Sequence, residues 1–188
     1  MKKVEINQSV ANDYDRYRQI QSDQKQVEKP TFELHTTKTH LKNQSGDVPV
    51  SFREMDEKAH LNVDLNVVRT KSFKFRLVCE SFMEAPCYRF DSDGQTHENP
   101  PAPTRTLKDR IVPTPHFHCF DDQGRNLAYR TEALKANEEA FLSDSCEALK
   151  LFCEEENIRL AAEPSFLQET LPIGTPALDD PLEGVEFP

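Results

Sequence analysis

A chain of 188 residues with 36% hydrophobic content, 13 prolines against 5 glycines and no tryptophan has room for one core, with part of its length extended. Its apolar runs are only a few residues long, which excludes a membrane-spanning helix, and Met1-Lys2-Lys3-Val4-Glu5-Ile6-Asn7 lacks the apolar stretch of a signal peptide. The net charge of −10 is unevenly placed: residues 1–131 carry 20 Lys and Arg against 19 Asp and Glu, and residues 132–188 carry 3 against 14. Such a single-sign segment repels nucleic acid, and serves for solubility or for docking a basic partner.

Residues 9–29 are polar and rich in helix formers, with Ser9 as N-cap, Val10, Tyr14 and Tyr17 on one face, and Pro30 as the stop. The apolar stripe is narrow, so a surface helix is expected. Thr31 to Leu41 alternates weakly and reads as an edge strand, and Asn43-Gln44-Ser45-Gly46-Asp47 reads as a turn. The clearest β pattern follows: Leu61, Val63, Leu65 and Val67 alternate with polar residues, and Phe73, Phe75, Leu77 and Cys79 alternate with Lys74 and Arg76. The short link between these runs predicts an antiparallel hairpin.

Residues 86–91 form a third strand, and Asp91-Ser92-Asp93-Gly94 turns the chain toward Gln95–Glu98. Residues 99–115 hold five prolines and predict a stiff loop carrying Arg105, Lys108 and Arg110. His116–Phe120 and Leu127–Arg130 form a second hairpin around Asp121-Asp122-Gln123-Gly124-Arg125-Asn126. Residues 132–157 are helical, with Leu142, Cys146, Leu149 and Cys153 on one stripe, a break near Asn137 and a C-cap at Asn157. The chain thus reads as one α+β domain over 1–162: a meandering antiparallel β-sheet over about 31–130, an N-terminal surface helix, and a C-terminal helix packed on one face. Residues 163–188 read as an extended or partly disordered Pro-rich acidic tail. Five cysteines (Cys79, Cys87, Cys119, Cys146, Cys153) make an odd set without a C-x-x-C pair, which predicts free thiols and a reducing, cytoplasmic setting.

Chemistry concentrates around Pro115-His116-Phe117-His118-Cys119-Phe120. In a strand, residues two apart share a face, so His116 and His118 point one way and Phe117 and Cys119 the other. With His97 upstream, they form a candidate set of titrating, metal-ligating imidazoles. A metal would take His116 and His118 with Asp91, Asp93, His97, Asp121 or Asp122 as the third ligand. The H-x-H-x-D-H pattern of metallo-hydrolases is not met, because Phe120 and Asp121 stand where it needs aspartate and histidine. Metal-free chemistry would use two imidazoles as general base and acid on an RNA phosphodiester, with Arg89, Arg105, Arg110, Arg125, Arg130 and Tyr129 nearby to stabilise the charged transition state. The competing structural reading has His116 and His118 on the wetter face of a strand and His97 in a turn.

The segments Y-R-F-D-S-D-G-Q-T-H-E-N-P and I-V-P-T-P-H-F-H-C-F resemble a family of uncharacterised bacterial and phage proteins. That family's hallmark is an R-[LV]-D-x-G-x-x-H-x-N-P segment followed by P-H-x-H-x-[YF]. Arg89, Asp91, Gly94, His97, Asn99, Pro100, His116, His118 and Phe120 fall at hallmark positions, and Phe152 to Leu160 resembles the family's closing helix and strand. The chain departs by a longer Pro-rich loop between the motifs and by lacking an acidic-Gly-Tyr segment after the second. The resemblance implies a phage or mobile-element setting and one motif shared by the three histidines, but no particular reaction.

Two functions follow as expectations. The first is a toxin-like ribonuclease or other phosphodiester-directed enzyme, with His97, His116 and His118 catalytic and Arg89, Arg105 and Tyr129 contacting the substrate anion. The second is a non-catalytic acidic module that binds a basic protein partner. No cofactor is specified by the sequence beyond the candidate metal ligands.

Overall fold

The computed structural model describes residues 5–37, 40–102, 106 and 110–168, and its architecture is α+β. Helices α1 (Gln8–Asn12) and α2 (Tyr14–Ser22) precede strands β1 (Lys25–Val27), β2 (Thr31–Thr37), β3 (His40–Phe52), β4 (Ala59–Asn66), β5 (Phe73–Val78) and β6 (Tyr88–Asp91). There follow β7 (His97–Glu98), β8 (Ile111–Val112), β9 (His116–Phe120), β10 (Asn126–Tyr129), helices α3 (Glu132–Ala136), α4 (Glu138–Ser143) and α5 (Ser145–Glu155), then β11 (Ile158–Leu160) and β12 (Ser165–Gln168). The main sheet runs β10-β9-β6-β5-β4-β3-β1-β11, with β2 beside β3 and β12 beside β2; β7 and β8 form a separate two-stranded ribbon. No helix among the described residues is long and apolar enough to cross a membrane.

The two alternating runs form the expected hairpin, with Leu61 opposite Leu77, Val63 opposite Phe75 and Leu65 opposite Phe73. Their apolar face continues into Phe90 and Phe117, and α5 closes over it. The Phe152 ring lies 6.1 Å from Phe75 and 6.5 Å from Phe117, centroid to centroid. Ala148, Leu149, Leu151 and Cys153 of the same helix are buried. The expected C-terminal helix therefore packs on one sheet face, but as the last of three short helices. The breaks fall at Asn137, as the sequence suggests, and at Asp144, whose carboxylate accepts from Cys146 N at 2.8 Å and Glu147 N at 3.2 Å and so starts a new helix.

Several elements differ from expectation. The helix over 9–29 is two helices ending at Ser22. Asn7 caps the first, and Asp13 caps the second by accepting from Arg16 N at 3.0 Å. Lys25 ends the helix instead of extending it: its buried ammonium donates to Ile20 O, Gln21 O and Asp23 O at 2.7–2.9 Å, holding the terminal carbonyls. α2 lies on the surface as expected, with Asp15, Arg18, Gln19 and Ser22 exposed, while its narrow inner face is firmly anchored: Tyr17 is fully buried, stacks on Tyr88 at 4.9 Å and donates to Cys87 O.

The expected turn at 43–47 lies inside β3. Its amide and hydroxyl side chains pair across to β4 (Asn66 to Asn43, Asn62 to Ser45), which lets a polar run stay in a sheet. Gly46 is needed there because a Cβ would meet Glu33 O at 2.5 Å, where β2 crosses close. The expected edge strand at 31–41 is covered on its outer side, where Ser165–Gln168 pairs in parallel with Thr31–Leu34. The segment assigned to the tail thus begins as a strand, and residues 169–188 lie outside the described residues.

The N-terminal segment docks on the β9–β10 turn: Asn7 N donates to Gly124 O at 2.8 Å, and Ile6 bridges Arg125. Gly124 has φ +70°, and a Cβ there would sit 2.2 Å from Asn7 O. Gly124→Ala is therefore expected to cost about 2–3 kcal/mol from combined backbone strain and overpacking, read as a lower urea midpoint at unchanged slope.

Candidate functional site

The antiparallel pairing of β6 with β9 builds the site. Register sets Asp91 opposite His116 and Arg89 opposite His118. Because Phe90 and Phe117 take the core face, Arg89, Asp91, His116 and His118 share the face away from α5. The β7–β8 ribbon brings His97 onto them. Its ring centroid lies 5.0 Å from that of His118 and 6.2 Å from that of His116, and the last two are 4.6 Å apart. The three histidines named from the sequence are thus one cluster, and Asp91 belongs to it. His116 and His118 are buried rather than on a wet face, at 2% and 5% exposure.

Hydrogen bonds fix the rings. His116 Nδ1 donates to Pro113 O at 3.1 Å, and His118 Nδ1 donates to Asn126 Oδ1 at 2.8 Å. Both Nε2 atoms then turn inward, 2.9 Å from one another. Asp91 Oδ2 lies 3.2 Å from His118 Nε2, and Arg89 Nη2 reaches both, at 2.9 Å from His118 Nε2 and 3.1 Å from Asp91 Oδ2. Among the described residues, His97 Nε2, Asp91 Oδ1 and Arg89 Nε are buried without hydrogen-bond partners.

Asn99 holds the ribbon in place. Its side chain donates to Ala128 O at 2.8 Å and accepts from Ala128 N at 2.7 Å, as a neighbouring strand would. This covers the free edge of β10 and explains the spacing of His97 and Asn99: one reaches the cluster, the other anchors it.

Burial pushes His116 down to about 4, with the neighbouring His118 adding to the effect. His97 is lowered by burial and by His118. Burial alone would raise Asp91, but its hydrogen bond to His118 and the charges of Arg89 and Lys74 hold it below its ordinary range.

A cavity of about 70 Å³ opens beside the cluster, bounded by Cys87, Arg89, His118, Phe120 and Asn126. The Cys87 thiol is pushed up to about 12 by burial, so it is no nucleophile there. Away from the cavity the same sheet face carries Arg76 opposite Arg89 and Lys74 opposite Asp91, with Arg76 ion-paired to Asp64 and Lys74 3.8 Å from Asp91. A larger cleft of about 360 Å³ between α5 and β11 is lined by Lys150, Glu154 and Glu163, whose charges are spent on one another or face solvent; it holds no comparable cluster.

Other sequence candidates are placed elsewhere. Tyr129 lies opposite Phe117 in the β9–β10 register, so it shares the core face, stacks on Phe117 at 5.4 Å and donates to Glu155; it does not contact the cavity. Arg105 lies outside the described residues. Arg125 is bound to Asp121, Arg130 to Glu138 and Arg110 to Glu98. Asp93 pairs with Arg69, and Asp122 is exposed, which leaves Asp91 as the carboxylate of the cluster. Sequence reasoning missed Asn126 and the Pro113 carbonyl, whose roles depend on hairpin register and loop path.

No protein-family model, curated protein or solved structure matches this chain.

Proposed function

We propose that the histidine cluster is a catalytic centre directed at a phosphodiester, with RNA as the first substrate to test. The observation that supports this most is the convergence of the three imidazoles and Asp91 on Arg89, beside a cavity that Arg89 and His118 both line. A phosphate entering that cavity meets Arg89 and His118 together. Arg89 is the anion clamp; its unpartnered Nε is a donor waiting for an oxygen. His118 is the group next to the reacting atoms, with its ring held by Asn126 and Asp91. His116 is not part of the cavity wall: it stands behind His118, nitrogen to nitrogen, so its role is to position His118 or share a ligand with it.

The alternative, an acidic module for a basic partner, has weaker support among the described residues. Several carboxylates of the helical third already meet internal cations: Glu132 with Lys135, Glu138 with Arg130, Glu139 with Lys71 and Glu147 with Lys150.

The test is cleavage of structured RNA, single-stranded RNA, single-stranded DNA and a chromogenic phosphodiester by the purified chain, with added divalent metals in parallel. His118→Ala and Arg89→Ala are each expected to lower cleavage at least about a hundredfold while leaving the melting temperature near that of the parent. Absence of cleavage in every condition, or cleavage by both variants at the rate of the parent, would sink the catalytic reading and turn attention to pull-downs with and without residues 164–188.

A further inference from the structure

The donor and acceptor balance inside the cluster leaves an unmet demand. The carbonyl oxygen of Pro113 can only accept, so His116 Nδ1 carries the proton and His116 Nε2 presents a lone pair. The Asn126 Oδ1 contact sets His118 in the same tautomer. Two imidazole lone pairs therefore face each other at 2.9 Å, with a carboxylate oxygen 3.2 Å from one of them. Arg89 supplies one donor to His118 Nε2 and Asp91 Oδ2, but none to His116 Nε2. A proton placed on His118 Nε2 would serve His116 and Asp91 but would then oppose the Arg89 donor. A metal ion meets every acceptor at once.

The ligand atoms of Asp91, His116 and His118 all lie within 4.8 Å of one another, on three buried side chains. They come from neighbouring strands, and the two imidazoles are fixed by hydrogen bonds from behind, as the second layer of a metal site requires. The strands are rigid, and only a small movement is needed. Metal–nitrogen bonds of about 2.0–2.1 Å at a tetrahedral angle put the two nitrogens about 3.3 Å apart, so the rings must open by roughly 0.4 Å.

From this geometry we infer that Asp91, His116 and His118 bind one first-row divalent transition metal ion, of which Zn²⁺ is the reference. Two imidazoles and one carboxylate suit that class, whereas Mg²⁺ and Ca²⁺ prefer oxygen-only sets. Cys119 is excluded because it projects from the other side of β9. Arg89 is about a third exposed along its side chain, so it can turn into the cavity when the ion takes its place between Asp91 and His118. Three protein ligands leave a fourth position open, the arrangement of catalytic sites. His97, with its unpartnered Nε2, is the remaining group beside that position, placed to hydrogen-bond a water or substrate oxygen there. Within the phosphodiester reading, such an ion would supply the Lewis acid at the departing or attacking oxygen. The inference rests on that reading only for its use; binding itself is independent of it.

Metal loading is read without turnover. The tag-free full chain is stripped with chelator, dialysed against Zn²⁺ and counted by elemental mass spectrometry; a parallel sample is loaded with Co²⁺ and its visible spectrum recorded. One equivalent per chain is expected, with the intense visible bands of low-coordinate Co²⁺. Asp91→Asn and His118→Ala are expected to weaken binding at least about a hundredfold. Asn126→Ala, which removes the ring support but no ligand, should weaken it by about 10- to 100-fold, and it keeps the test informative if a ligand variant fails to fold. His60→Asn, on β4 outside the cluster, controls for surface histidines and should bind as the parent does. Sub-stoichiometric loading of the parent, or Asn126→Ala and His118→Ala binding as tightly as the parent, would overturn the site. Stoichiometric, cluster-dependent metal without phosphodiester cleavage would retain the metal and reject the substrate; cleavage by metal-free protein that also fails to load Zn²⁺ would retain the substrate and reject the metal.

Discussion

Phe117→Ala is expected to remove about 3–5 kcal/mol of stability, among the largest single losses available in this chain. Phe117 is fully buried, and its ring packs against Phe90 at 5.0 Å, Tyr129 at 5.4 Å and Phe152 at 6.5 Å. It therefore joins three layers of contact: the neighbouring strand β6, the hairpin partner β10 and the covering helix α5. Truncation leaves a cavity that a sheet pinned on both sides cannot close, so the cost exceeds the transfer free energy of the lost ring. Its two sequence neighbours behave differently. His116 and His118 lie on the opposite face in a cluster with unmet hydrogen-bonding demand, so His118→Ala should remove chemistry at a far smaller cost in stability. Urea unfolding of the two variants, beside their metal loading, separates the faces. A His118→Ala loss as large as that of Phe117→Ala would mean that the cluster is a structural core and not a site.

That division of one strand into a core face and a chemical face is legible in the sequence. Alternation in H-F-H-C-F fixes which residues face together, and strict alternation in 61–67 and 73–79 likewise fixes the central hairpin. Which residues meet across strands is another matter. Tyr129 looked like a substrate contact because it lies near the histidines in sequence. One residue of register decides the outcome: paired with Phe117 it faces the core, whereas a slip by one would have turned it toward His118. Asn126 and the anchoring role of Asn99 are silent in the sequence for the same reason, since an amide becomes a ring support or a mock strand only once the hairpin and ribbon are in place. Residues 43–47 of β3 read as a turn because the stabilisation of that polar run lies in cross-strand amide pairs and in the close approach at Gly46, neither of which has a local signature. The parallel pairings of β11 with β1 and β12 with β2 join residues more than a hundred positions apart, beyond any periodicity argument.

The opposite face hides a feature that periodicity also passed over. Glu156, at the end of α5, has no exposure and neither carboxylate oxygen has a hydrogen-bond partner. Burial pushes its carboxyl well above the ordinary value of 4.5, and the ammonium of Lys25 only partly opposes this. Lys25 is itself lowered to about 8 by burial, with Glu156 acting in the other direction. Glu156 thus stays protonated in the fold over a range where the unfolded chain has released its proton. At this group the unfolded state then binds fewer protons than the folded one, so its contribution to stability falls as pH rises above about 4.5, by about 1.4 kcal/mol per unit until the folded group ionises. Below that pH both states are neutral and the loss is absent. Glu156→Gln keeps the shape and removes the ionisation, so the variant should match the parent near pH 4.5 and exceed it by a margin that grows as the pH rises toward 7.5. Urea midpoints measured across pH 4.5–8 decide the point. Had Glu156 been a charged partner of Lys25, glutamine would strand a buried ammonium and destabilise the chain by about 3–5 kcal/mol, so the sign of the change at neutral pH alone distinguishes the two.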